Sequence, residues 1–84
     1  MFNQVDKDLI LKFLNLNHPI IRVKHKKRFT RAIEVNGFVF ILKDMKSYEP
    51  LKQKLFDDLI VVFSPKNFLA ISDVLDNFLK SKLF

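Results

Sequence analysis

The chain has 84 residues, 49% of them hydrophobic and ten of them Phe, with one Gly, three Pro and no Cys. This composition excludes low-complexity disorder, disulfides, thiolate metal sites and cysteine nucleophiles. It implies a single small domain, 1–84, that depends on dense packing, because a chain of this size buries only about 60–65% of the surface it exposes unfolded.

The net charge is +6 and unevenly placed: six of the fifteen Lys/Arg, including all three Arg, fall within 22–31, "RVKHKKRFTR", and the other nine match the nine Asp/Glu. The N-terminus, "MFNQVDKDLILKFLNLN", has acids before its apolar run and neither a basic leader nor a small-residue cleavage site, so it reads as mature structure. No apolar run reaches the roughly 18–20 residues of a membrane span. A soluble protein of a reducing cytoplasm, with no membrane partner, is the expectation.

Apolar residues at 5, 9, 10, 13, 14 and 16 predict a first helix, with Asn3 and Asp6 in capping-box-like spacing before it and Pro19 beyond its end. From 20 to 43 the chain turns β-branched and aromatic around Asn36-Gly37, a strong hairpin signal that supplies the positive φ angles of a type I′ turn. A two-residue loop there pairs Val35 with Phe38, Ile33 with Phe40 and Arg31 with Leu42 on the core face. It pairs Glu34 with Val39, Ala32 with Ile41 and Thr30 with Lys43 on the other. The preceding strand, 20–25, turns back near 26–28. A three-residue loop would bring Val23 opposite Arg31 and Ile21 opposite Ile33, both facing the core, whereas an even loop would put Arg22 and Lys24 there; the odd loop is expected.

Ser47, or Glu49 with Pro50, opens a short helix carrying Leu51, Leu55 and Phe56 that ends near Asp58. The continuous apolar run "LIVVFS", 59–64, predicts a fourth strand reached by a right-handed parallel crossover. Ser64-Pro65 is an N-cap and N1 pair for a last helix, with Phe68, Ile71, Val74, Leu75, Phe78 and Leu79 at helical spacing and Lys80 and Lys82 near its end. The expected fold is α+β in the order α-β-β-β-α-β-α. Its mixed four-stranded sheet, antiparallel hairpins plus one parallel strand, is packed mainly on one face by helices.

Little in the chain points to catalysis. Gly37 stands alone, which excludes glycine-rich phosphate loops. His18 and His25 lie on different elements without a ligand cluster; His18 suits a helix C-terminus and His25 extends the basic surface. Ser47, Ser64, Ser72, Ser81, Thr30 and Tyr48 have no assignable base. Asp57-Asp58 close a helix, and Asp73 and Asp76 read as solvated. No catalytic residue, cofactor or metal is assigned.

The α-β-β-β-α-β order is similar to the core of restriction-endonuclease-like nucleases, whose third strand ends in a (D/E)-x-K signature. Here that strand ends Ile41-Leu42-Lys43, and Glu34 on the second strand has no partner with which to hold Mg²⁺, so the likeness is topological and implies no hydrolysis. The order over 5–58 also resembles a double-stranded-RNA-binding domain, but the second helix opens "SYEPLKQK" and the basic residues lie between strands one and two instead.

The expected function is therefore non-enzymatic binding. Arg22, Lys24, Lys26, Lys27, Arg28 and Arg31 would face the backbone of DNA or RNA, with Phe29 stacking or anchoring the loop. The alternative is a protein-interaction module, an inhibitor, immunity or accessory factor of a phage or mobile element, with the hairpin on an acidic partner. A homodimer through the last helix is a further expectation. Lysines on a hairpin also keep an edge strand from pairing with other chains.

Overall fold

The computed structural model describes residues 6–83. Helix α1 spans Lys7–Asn17; its N-cap is Asp6, whose carboxylate accepts from the Asp8 N–H at 2.9 Å, while Asn3 and Val5 lie outside the described residues. The helix closes where the His18 N–H donates to the Leu14 carbonyl at 2.8 Å, ahead of Pro19.

Three strands follow, β1 (Ile20–His25), β2 (Arg28–Val35) and β3 (Phe38–Ile41), forming an antiparallel sheet in the order β1-β2-β3. Asn36 and Gly37 take φ of 51° and 87°, as a type I′ turn demands. The β2–β3 register is the expected one, Val35 opposite Phe38 and Ile33 opposite Phe40. The first hairpin differs from expectation. Its loop is the two residues Lys26-Lys27, so His25 faces Arg28, Arg22 faces Arg31 and Ile20 faces Ile33. Ile20 rather than Ile21 thus delivers the aliphatic side chain to the core, and Arg22 and Lys24 share its face but stay exposed.

After β3, Asp44 caps a 3₁₀ turn, Met45–Ser47, accepting from the Lys46 N–H at 2.9 Å, and helix α2 runs over Tyr48–Phe63. The expected fourth strand and its parallel crossover do not form, because 59–63 is the last part of α2. Leu51, Leu55 and Leu59 recur at a spacing of four and are fully buried, so the stripe of the first turns continues through Asp57-Asp58 rather than stopping there. Val61 and Val62 point outward, 84% and 50% exposed. At Ser64 (φ 82°) the chain reverses; its Oγ accepts from the Lys66 N–H at 3.3 Å. A 3₁₀ turn, Pro65–Asn67, then leads into α3, Phe68–Leu83.

The protein is thus α+β, with three helices and a three-stranded antiparallel sheet. The helices bury one sheet face, through Ile20, Ile33, Val35, Phe40 and Leu42; Ile21, Val23, Val39 and Ile41 on the other face take no part in that core. The apolar stripe of α3, from Ile71 to Leu79, is spent inside the same core. His18 joins three elements: Nδ1 lies 3.2 Å from the Glu34 carbonyl of β2, and Nε2 lies 2.7 Å from Asp58 Oδ2 of α2. Between α2 and α3, Lys52 Nζ sits 2.6 Å from Asp76 Oδ1, to which the Tyr48 hydroxyl also donates at 3.4 Å. The molecule measures 53 × 21 × 19 Å. Among the described residues no helix is long and apolar enough to cross a membrane.

Leu59 and Val61 would share one face of a strand but lie on opposite sides of a helix. In denaturant unfolding, Leu59→Ala should cost about 2–5 kcal/mol and Val61→Ala less than about 0.5 kcal/mol; equal costs would argue against the helix. The Lys52 hydrogen bond holds the Asp76 carboxyl below its ordinary range, and the same bond raises Lys52. Burial, then the Asp76 charge, raises Tyr48. A lowered carboxyl stabilises the fold above its unfolded value and loses that effect as pH falls through the folded value, while raised Lys and Tyr groups stabilise below theirs and fail as pH rises. The Tm deficit of Asp76→Asn should accordingly be present at neutral pH and close as the pH falls below the ordinary carboxylate range. The wild-type Tm should fall above about pH 10.

Candidate functional site

The two-residue loop decides where the basic residues go. On the helix-covered face, but beyond the helices, Arg22 stands directly opposite Arg31 and Lys24 opposite Phe29. On the uncovered face, His25 stands opposite Arg28 and Val23 opposite Thr30. Lys26 and Lys27 form the turn between them. All residues from Lys24 to Phe29 are exposed, so the end of this hairpin is an arm standing clear of the helical body. The seven sequence-selected residues are brought together on it, split between two faces.

Arg31 lies on the nominal core face yet is exposed and pairs with no acid. The acids paired with basic side chains among the described residues are Asp73 with Lys7, Asp76 with Lys52, and Asp58 with the His18 imidazole; none of these pairs includes a residue of the arm. Like charges directly across a strand pair repel, and among the described residues no acid offsets the Arg22–Arg31 pair. The Arg22 guanidinium lies 5.7 Å from the ring centroid of Phe29, which is itself 63% exposed; this is a cation–π contact that leaves most of the ring in solvent.

The turn itself is strained. Lys26 takes a φ of 61°, a region that costs a side chain with a Cβ about 1–2 kcal/mol. The chain's other hairpin meets the same demand with Asn-Gly. Lysine at the first position of this loop contributes charge at the tip of the hairpin at the expense of local stability.

Two further residues belong to the site. Lys43, just past β3, and Thr30 line a hollow of about 640 Å³ on the uncovered face, together with His25, Lys26, Lys27 and Arg28. The Thr30–Lys43 pairing implied by the Asn36-Gly37 turn was the sequence signal for both. Thr30 is 8% exposed, and its Oγ1 is buried without a hydrogen-bond partner, alone in this among the described side chains; such a group costs about 1–3 kcal/mol. Glu34 is exposed on this face opposite Val39. Among the described residues no group of three or more His, Cys, Asp or Glu could hold a metal ion. The arrangement presents many donors and little to accept them, which is the chemistry of anion binding. Neither protein-family models, nor curated proteins, nor solved structures give a match to this chain.

If the arm repels itself, wild-type protein should gain stability as salt rises from about 10 to 200 mM. Arg31→Gln should raise the Tm at low salt, by an amount corresponding to about 0.2–1 kcal/mol, with the gain shrinking as salt is added. A lower Tm for Arg31→Gln at low salt would mean that an internal partner had been lost.

Proposed function

We propose that this protein is a small non-enzymatic nucleic-acid-binding protein that grips the phosphate backbone through the β1–β2 arm. The observation that carries the reading is that, among the described residues, no acid pairs with Arg22, Lys24, Lys26, Lys27, Arg28 or Arg31, which hold the chain's entire charge excess on an arm clear of the helices. A two-stranded ribbon has the width that the major groove of duplex DNA admits, and cations on both of its faces would meet phosphates on either side. Phe29 offers an exposed ring to a base or sugar. Contacts of this kind position a protein without reading sequence. The absence of cysteine fits work in a reducing cytoplasm.

A second reading, docking of the arm on an acidic protein as an inhibitor, immunity or accessory factor of phage or mobile-element origin, is favoured by the uncovered sheet face. There Val39 is 50% exposed beside the half-buried Ile41.

Titration of labelled duplex DNA, single-stranded DNA and RNA at several salt concentrations tests the first reading. For duplex DNA the log of the association constant should fall linearly with log salt, with a slope of about −0.9 per phosphate neutralised. Changing Lys26, Lys27 and Arg28 together to Ala should weaken binding and flatten that slope by up to about three. No salt-sensitive binding to any of the three polymers would reject it, and a specific acidic protein captured by wild type but not by the triple variant would support the second.

A further inference from the structure

The hollow on the uncovered face has a composition that backbone steering does not require. Its nitrogen-bearing side chains come from three places in the chain: the end of β1 (His25), the turn and the start of β2 (Lys26, Lys27, Arg28), and the segment after β3 (Lys43). Lys and Arg only donate hydrogen bonds. Thr30, on the middle strand, also lines the hollow, and its Oγ1 has no partner. Valine would keep the branched shape that suits a strand and would bury no hydroxyl, so packing alone does not account for threonine here. The one carboxylate in the lining, Asp44, accepts through Oδ1 from the Lys46 N–H, 2.9 Å away, where it caps the 3₁₀ turn. Apart from Ile41 and Asp44, the lining consists of donors and of this hydroxyl, a setting suited to a compact group made of acceptors.

We propose that this hollow is a seat for one phosphate group, with Lys26, Lys27, Arg28 and Lys43 supplying the opposing charge and Thr30 Oγ1, enclosed in the ligand-free chain, turning about χ1 to donate to a phosphate oxygen. The inference rests on the reading of the arm as a nucleic-acid contact and names the group and the face on which the contact is anchored. Three sources offer the same chemistry: a phosphodiester within a strand, a phosphorylated strand end, and free phosphate.

The test uses the full chain labelled with ¹⁵N and three probes: inorganic phosphate against chloride at matched ionic strength, a short oligonucleotide with a 5′-phosphate, and the same oligonucleotide without it. Saturable shifts of the amides from Lys26 to Thr30 and of Lys43 are expected with at least one probe. Preference for the phosphorylated end would identify that source, equal response to both oligonucleotides would identify the internal diester, and response to inorganic phosphate alone would identify the free ion. Thr30→Val should weaken that binding by about tenfold or more, leave the Tm in phosphate-free buffer unchanged or higher, and be rescued by Thr30→Ser, which restores the hydroxyl. Wild-type affinity in Thr30→Val, or a lowered Tm showing that the hydroxyl serves the fold, would overturn the seat. Failure of the two proposals is distinguishable. Salt-dependent nucleic-acid binding that ignores Thr30 removes the seat and keeps the arm. Saturation by inorganic phosphate without binding to any polymer keeps the seat and removes the nucleic acid.

Discussion

The parity of the Lys26-Lys27 turn governs where every charge on the arm lies. Side chains alternate along a strand, so a loop longer or shorter by one residue exchanges the two faces of β1. With two residues in the loop, Ile20 meets Ile33 in the core, Arg22 meets Arg31 above it, and His25 meets Arg28 on the other side. An odd loop would have put Val23 beside Arg31 and moved Arg22 and Lys24 to the uncovered face. The separation of the cations into two groups, and the strained Lys26 that it requires, both follow from this one count.

The rest of the molecule is balanced. Lys7 with Asp73 joins α1 to α3, Lys52 with Asp76 joins α2 to α3, and His18 joins the end of α1 to β2 and to Asp58 of α2. Acids are used to tie helices together, and none is used to neutralise the arm. Exposed pairs such as Lys7–Asp73 contribute little to stability; their importance lies in leaving the helical body nearly neutral, so that the protein's outward field comes from its hairpin. The body anchors the arm through apolar contacts, chiefly the Leu51-Leu55-Leu59 stripe and the inner residues of β2 and β3.

Much of this was legible in the residues. Asn36-Gly37 fixed the second hairpin and its register because only a turn with two positive φ angles suits that pair. Pro19 and Ser64-Pro65 marked helix ends through local chemistry that acts within three or four residues, whereas Asp6 is itself the N-cap of α1 and not the inner member of a box opened by Asn3. The run 59–63 was misread because five apolar residues satisfy a buried strand as well as a helix; the spacing of Leu51, Leu55 and Leu59 carried the answer, and Asp57-Asp58 obscured it. Loop parity at Lys26 was illegible for a different reason. Burying Val23 and Ile21 is favourable only if helices cover them, and how far the helices reach along the sheet is a tertiary fact. The same fact explains Arg31, which lies on the core face yet beyond the core's edge.

The splitting of the cations also makes the arm electrostatically two-sided. Charged groups on opposite faces of a sheet point away from one another, and fields in water at physiological ionic strength decay over about 8 Å. Neutralising Arg22, Lys24 and Arg31 on one face therefore leaves the field of Arg28 on the other largely in place. A single hairpin thus carries two faces whose charge can be neutralised one at a time.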